Sequence, residues 1–179
     1  MARNPRSQSD GHGNPNQQPS VQATATARTL LAQVLPEGAF TDLTSPVVAL
    51  YVARTFWEKA TILHAEHHRP AHLPVRDRFA RHYSDFASLW RQDHARMAAL
   101  TRLDLLADVA LHKSRYFASS WASYDTATPG TLKLVPPPHR WAAVGEDYAQ
   151  MRPMFMKEPP PFGDLMQQLT QAEQVLNQR

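Results

Sequence analysis

Two stripes of bulky apolar side chains at helical spacing set most of what this chain can fold into. In "RTFWEKATILHAEHH", residues 54–68, and the alanine just before it, Ala53, Phe56, Trp57, Ala60 and Leu63 recur at steps of three and four. That step is one face of a helix with 3.6 residues per turn. In "DRFARHYSDFASLWR", Phe79, Tyr83, Phe86 and Trp90 stand at i, i+4, i+7 and i+11. A third run, "LTRLDLLADVALHKSRYF", has Leu103, Leu106, Ala110 and Phe117 as inward candidates. Strands need a period of two, so the covered part is predicted to be mainly α.

Prolines place the breaks. Pro70 and Pro74 end the first helix, because proline removes a backbone donor and restricts the residue before it. Pro129-Gly130 predicts a turn in "YDTATPGTLKLVPPPHRW", and Pro136 to Pro138 bar a helix there. A short helix around "AVGEDYAQMRPMF" and a last one over "FGDLMQQLTQAEQVLNQ" flank Pro159 to Pro161. Upstream, "TLLAQVLPEGAF" predicts a short helix ended by Pro36 and Gly38, and "SPVVALYV" an extended segment. Residues 1–27 are rich in Asn, Gln, Ser, Pro and Gly and predict a disordered low-complexity tail, leaving 28–179 as the folded region. No internal repeat and no heptad run long enough for a coiled coil is present.

Charge and composition exclude some function classes. A formal charge of +3 permits a nucleic-acid or nucleotide partner without demanding one. With no cysteine, disulfides and thiolate metal sites are excluded. The N-terminus has no apolar segment of the kind a secretory signal carries, and the longest apolar run, "PVVALYVA", is too short to span a bilayer. A soluble cytoplasmic protein with no membrane partner is expected. Phosphate-loop, dinucleotide-binding and nucleophile-elbow glycine motifs are missing.

Several residues can carry chemistry. Lys59 sits at the edge of the first apolar stripe, roughly a quarter turn from its centre. By position alone it is a border lysine that lays its stem on apolar surface and points its charge outward, with Glu66 as a candidate partner. Asp85 lies on the second helix away from the aromatic stripe, with Arg78 and Arg81 on the same side. Either it pairs with Arg81 four residues earlier, or it is a carboxylate held among guanidiniums, free to hold a metal or orient a hydroxyl. His64, His67 and His68 share one side of the first helix, but "HAEHH" is not the H-E-x-x-H zinc pattern. Packing and polar contacts at the helix end are expected of them first, substrate contact second and metal ligation last. Met151, Met154 and Met156 are expected to fill core or interface.

Four blocks occur in order: "RTFWEKATILHAEHHRP", "RFARHYSDFASL", "HKSRYFASSWASYDTATPGTLKLVPP" and "DYAQMRPMFMKEPPPFGDLM". Together they resemble the C-terminal half of the AbiEii/AbiGii-type nucleotidyltransferase toxins, from about residue 30 to the end. The resemblance implies the helical half of a polymerase-β-like nucleotidyltransferase fold. It also implies a toxin of bacterial toxin–antitoxin and abortive-infection systems against phage. Intact relatives transfer a nucleotide from a nucleoside triphosphate, with Mg²⁺, onto an acceptor such as the 3′ end of tRNA. Lys59 of "FWEK" resembles the family lysine, which neutralises triphosphate. Asp85 of "RHYSD" resembles the family aspartate, which orients or deprotonates the acceptor hydroxyl. Arg81 and His82 would lie near enough to touch phosphate or acceptor.

The family's N-terminal half carries a Gly-Ser turn and a D-x-D or D-x-E pair for Mg²⁺. Here no glycine precedes a serine and no two acids are separated by a single residue. Two-metal transfer needs those carboxylates. The expectation is therefore a truncated or frame-disrupted product, or one subunit of a split enzyme whose N-terminal catalytic half is missing. Alone it would be inactive and would hold neither Mg²⁺ nor nucleoside triphosphate tightly. The other reading is a non-catalytic helical module that binds an antitoxin or a separate catalytic half.

Overall fold

The computed structural model describes residues 22–28 and 44–179. They fall into two units, one ending at Tyr51 and one running from Val52 to Arg179. The first contains two antiparallel strands, β1 (Gln22–Arg28) and β2 (Thr44–Leu50), in register from Gln22↔Leu50 to Arg28↔Thr44. Strand β2 matches the extended segment expected at "SPVVALYV". Its Val47, Val48 and Leu50 are exposed. Strand β1 occupies the end of the stretch expected to be tail; its alternating "QATATAR" has the period of a strand. Residues 1–21 lie outside the described residues, and so does the helix expected over "TLLAQVLPEGAF".

The second unit holds six α-helices among the described residues: α1 (Val52–His67), α2 (Ala80–Arg91), α3 (Asp93–Leu100), α4 (Leu103–Tyr116), α5 (Trp141–Gln150) and α6 (Phe162–Asn177). The architecture is mainly α, as the apolar periodicity requires. Helix α1 is the hub, touching α2, α3 and α4, while α2 packs on α5 and α6. Its stripe Ala53, Phe56, Trp57, Ala60 and Leu63 is fully buried. The Phe56 ring lies 5.0 Å from Trp57 and 4.9 Å from Phe86, close enough for aromatic pairing to add to burial. Trp57 also donates its indole N–H to the carbonyls of Ala99 (3.2 Å) and Arg102 (3.1 Å), tying α1 to the α3–α4 junction.

Two inward candidates on α4 turn out otherwise. Leu103 is 37% and Phe117 63% exposed, while Leu105, Leu106, Val109, Ala110 and Lys113 form the buried face. Leu103 is the first helical residue, and Phe117 sits past the last turn with φ −129° and ψ 36°, where helical periodicity no longer governs direction. Of the methionines, Met151 is core, whereas Met154 and Met156 are exposed.

Side chains from other elements fix the loops that frame the site. Asp147 of α5 accepts from the backbone N–H groups of Arg78 and Ala80, both at 2.6 Å, and so satisfies donors at the start of α2. Arg140 is buried and donates to the carbonyls of Arg69, Pro70 and Leu73, holding the turn after α1. The extended run 132–135 has no strand partner among the described residues. Its backbone is satisfied by Asn177 at Leu132, by His64 at Lys133 and by Glu173 at Leu134 and Val135. Gly130, with φ +93°, makes the turn before it, a conformation that disfavours any side chain.

Candidate active site

Helices α1 and α2 cross with their aromatic stripes buried together, and that packing brings their polar borders face to face. Lys59, on the border of α1, meets Asp85 on the border of α2. The ammonium lies 2.7 Å from Asp85 Oδ2 and 3.3 Å from Nδ1 of His82. Asp85 thus pairs with Lys59 rather than with Arg81, and Lys59 pairs with Asp85 rather than with Glu66. Arg81 is exposed and makes no ion pair among the described residues. The helix crossing decides this outcome: an i,i+4 pair on one exposed face competes with a neighbour presented by a second helix at contact distance.

An ammonium has only donors, so His82 Nδ1 accepts and its ring proton is on Nε2. Burial pushes the His82 imidazole down from 6.5 to about 4, and the charges of Lys59 and Arg81 push the same way. At neutral pH the His82 imidazole is therefore uncharged beside the Lys59–Asp85 ion pair, with Arg81 on the same helix.

A cavity of about 630 Å³ opens beside it, within the size range of small-molecule sites. His82 belongs to both places: its ring lines the cavity and its Nδ1 meets Lys59. Lys59 and Asp85 themselves are not among the lining residues. The wall includes Phe79, Phe117, Trp121 and Tyr124, together with Arg76 and Lys113. Lys113 is 8% exposed, and its Nζ donates to the Glu58 carbonyl at 2.8 Å. Burial, reinforced by nearby Lys59 and Arg54 and opposed by Glu58, pushes the ammonium down to about 8.

The sequence reading passed over Lys113 even though it stands three residues after Ala110 and seven after Leu106, on the core face. A lysine at such a position is the signal that could have found it. Glu66, expected as a partner of Lys59, has other partners. It is buried, with Arg76 at 2.9 Å, Arg69 at 3.8 Å and Arg140 at 3.9 Å around its carboxylate.

The three histidines resolve into structural contacts. The Lys133 N–H donates to His64 Nδ1 (3.0 Å), so Nε2 carries the proton and donates to the Ser123 carbonyl (2.9 Å). His67 Nδ1 lies 2.7 Å from the Val135 carbonyl, and its N–H is the donor. The His64 and His68 rings are 4.7 Å apart. Among the described residues no three His, Asp or Glu side chains form a group that could hold a metal ion. Among the described residues Lys59 pairs with one carboxylate, that of Asp85, and a single carboxylate does not fit a Mg²⁺ pair.

The model of one protein family, nucleotidyl transferase AbiEii toxin of a type IV toxin–antitoxin system, matches residues 21–174. The match takes in β1, upstream of the start expected near residue 30. No curated protein and no solved structure matches the chain. No helix among the described residues is long and apolar enough to cross a membrane.

Proposed function

We infer a function from one premise: the chain belongs to the AbiEii nucleotidyl transferase toxin family, of a type IV toxin–antitoxin system. In this reading it serves nucleotide transfer from a nucleoside triphosphate to an RNA acceptor such as the 3′ end of tRNA, in defence against phage. The acceptor oxygen bonds to phosphorus, pyrophosphate leaves, and the hydroxyl proton passes to a base. Asp85 takes or orients that proton. Lys59 places a point charge against the triphosphate, with Arg81 and His82 as further contacts. The contact of 2.7 Å between Lys59 and Asp85 carries this reading, because it puts a cation and a base from successive helices at one place.

The carboxylate pair that would hold Mg²⁺ has no counterpart in these 179 residues. We therefore propose that these residues supply the helical part of the machinery and depend on a Gly-Ser…D-x-D half that they do not contain. Incubation with Mg²⁺, labelled nucleoside triphosphates and total RNA tests this. The expected result is no label transfer by the chain alone. Robust transfer would overturn the dependence.

A second reading, a helical module that binds an antitoxin or the catalytic half without acting itself, is favoured by the exposed Leu111, Tyr116 and Phe117 at the C-terminal end of α4. Co-expression separates the two. Rescue of solubility by a partner, with no transfer in the complex, supports the module.

A further inference from the structure

Among the described residues Lys113 is the one buried cation that makes no ion pair. Its single hydrogen-bond partner is a backbone carbonyl, that of Glu58, and the Glu58 carboxylate is itself engaged by Arg54 at 3.0 Å. Burying an ammonium is costly when its nearest carboxylate is committed elsewhere: Glu58, which also lines the cavity, is shared with Arg54 and offsets the loss of water at Lys113 only in part. The other buried cation, Arg140, has Glu66 beside it at 3.9 Å. Lys113 instead faces a cavity, so the missing anion has somewhere to bind.

The rest of the wall defines what that anion is attached to. Phe79, Phe117, Trp121 and Tyr124 give the cavity aromatic surface. Phe117 is well exposed, with its ring 6.1 Å from that of His112 on the same wall. Arg76 supplies a second cation on the wall, its guanidinium 4.5 Å from the Phe79 ring. A small anion alone would leave the aromatic surface unused, and an apolar ligand would leave Lys113 unpaired. A phosphate joined to a planar heterocycle satisfies both.

We propose that this cavity, walled by α1, α2, α4 and residues 117–124, holds one nucleotide of the transfer reaction, with Lys113 as counter-ion to its phosphate and the aromatic wall against its base. The proposal rests on the nucleotidyltransferase reading and adds to it a subsite and a binding residue. The nucleotide has two sources, the incoming triphosphate or the 3′-terminal nucleotide of an RNA acceptor.

The test is ligand-observed NMR titration of the whole 179-residue protein, in separate arms, with each of the four ribonucleoside triphosphates and with a short single-stranded RNA ending in a 3′-hydroxyl. Lys113→Met is one atom shorter but keeps most of the apolar stem, and Phe117→Ala alters an exposed position, so both proteins are expected to fold; a melting curve checks each. The arm that binds identifies the source. In that arm each substitution is expected to weaken binding by about tenfold, the size of one lost charge-assisted contact. Wild-type affinity falls between pH 7 and pH 9 as the ammonium, at about 8, loses its proton, and Lys113→Met removes that dependence. A purely structural lysine would not give that pH profile. Equal binding by the wild type and both variants, or no saturable binding in any arm, overturns the proposal. A Lys59→Met protein run in parallel separates the two levels. If it binds like the wild type while Lys113→Met does not, the role given to Lys59 fails and the cavity stands. If only Lys59→Met loses binding, the cavity fails and the role of Lys59 stands.

Discussion

The Lys59 ammonium lies 2.7 Å from the Asp85 carboxylate across the α1–α2 crossing, with 22% and 49% of the two side chains exposed. An ion pair this wet contributes only about 0–1 kcal/mol to stability. Lys59→Met and Asp85→Asn are therefore expected to unfold within about 1 kcal/mol of the wild type in urea. A loss of several kcal/mol would make the pair structural and remove the reason for assigning it to chemistry.

Glu66 is the opposite case. Its carboxylate is buried beneath Arg69, Arg76 and Arg140. Glu66→Ala leaves the buried Arg140 guanidinium without its anion, and a loss of about 3–5 kcal/mol is expected in equilibrium unfolding. A change below 1 kcal/mol would show that the bonds from Arg140 to the carbonyls of residues 69, 70 and 73 suffice to hold it.

Tyr83 is buried, and its hydroxyl has no hydrogen-bond partner among the described residues. Burial pushes the phenol well above its ordinary range. Tyr83→Phe keeps the ring against Phe79 and deletes the unsatisfied group. Stability is expected to rise by about 1 kcal/mol. A fall in the urea midpoint would mean that the hydroxyl is satisfied in solution.

How much of this was legible in the sequence follows from which forces are local. The apolar stripes of α1 and α2 are set by the 3.6-residue period, so Phe56, Trp57, Tyr83 and Phe86 were readable as core. The prolines at 136–138 and 159–161 located the breaks. Helix α3 was not read; it has eight residues and buries only Ala95 and Ala99, too weak an apolar signal. Leu103 and Phe117 misled because periodicity fails at helix ends. Helical position made Lys59 and Asp85 candidates, and the family resemblance, not spacing, gave them their roles. Their contact depends on a helix crossing that no local pattern encodes. The partners of Glu66, His64 and Lys113 are equally non-local: His64 meets Lys133 across |i−j| = 69 and Lys113 meets Glu58 across |i−j| = 55.

Stability is also expected to depend on pH through His64. Burial pushes this imidazole from 6.5 down to about 4, only partly offset by its bond to Ser123. Between those values the unfolded chain binds a proton that the folded chain does not, so stability rises with pH there. The contribution is complete above about 6.5 and is lost as pH falls toward 4. It amounts to something on the order of 3 kcal/mol. His82, also held at about 4, adds to the same window. Urea midpoints at several pH values should show this slope in the wild type and a shallower one in His64→Gln. Equal slopes would contradict the neutral, buried imidazole.

The most direct measurement is the affinity of the whole chain for inorganic triphosphate without metal, compared among the wild type, Lys59→Met and Asp85→Asn. The two substitutions should act in opposite directions. Lys59→Met removes the cation and is expected to weaken binding about tenfold. Asp85→Asn removes the carboxylate that competes for that cation and repels phosphate, and is expected to tighten it. Identical affinities for all three proteins would contradict a phosphate-receiving role for the pair.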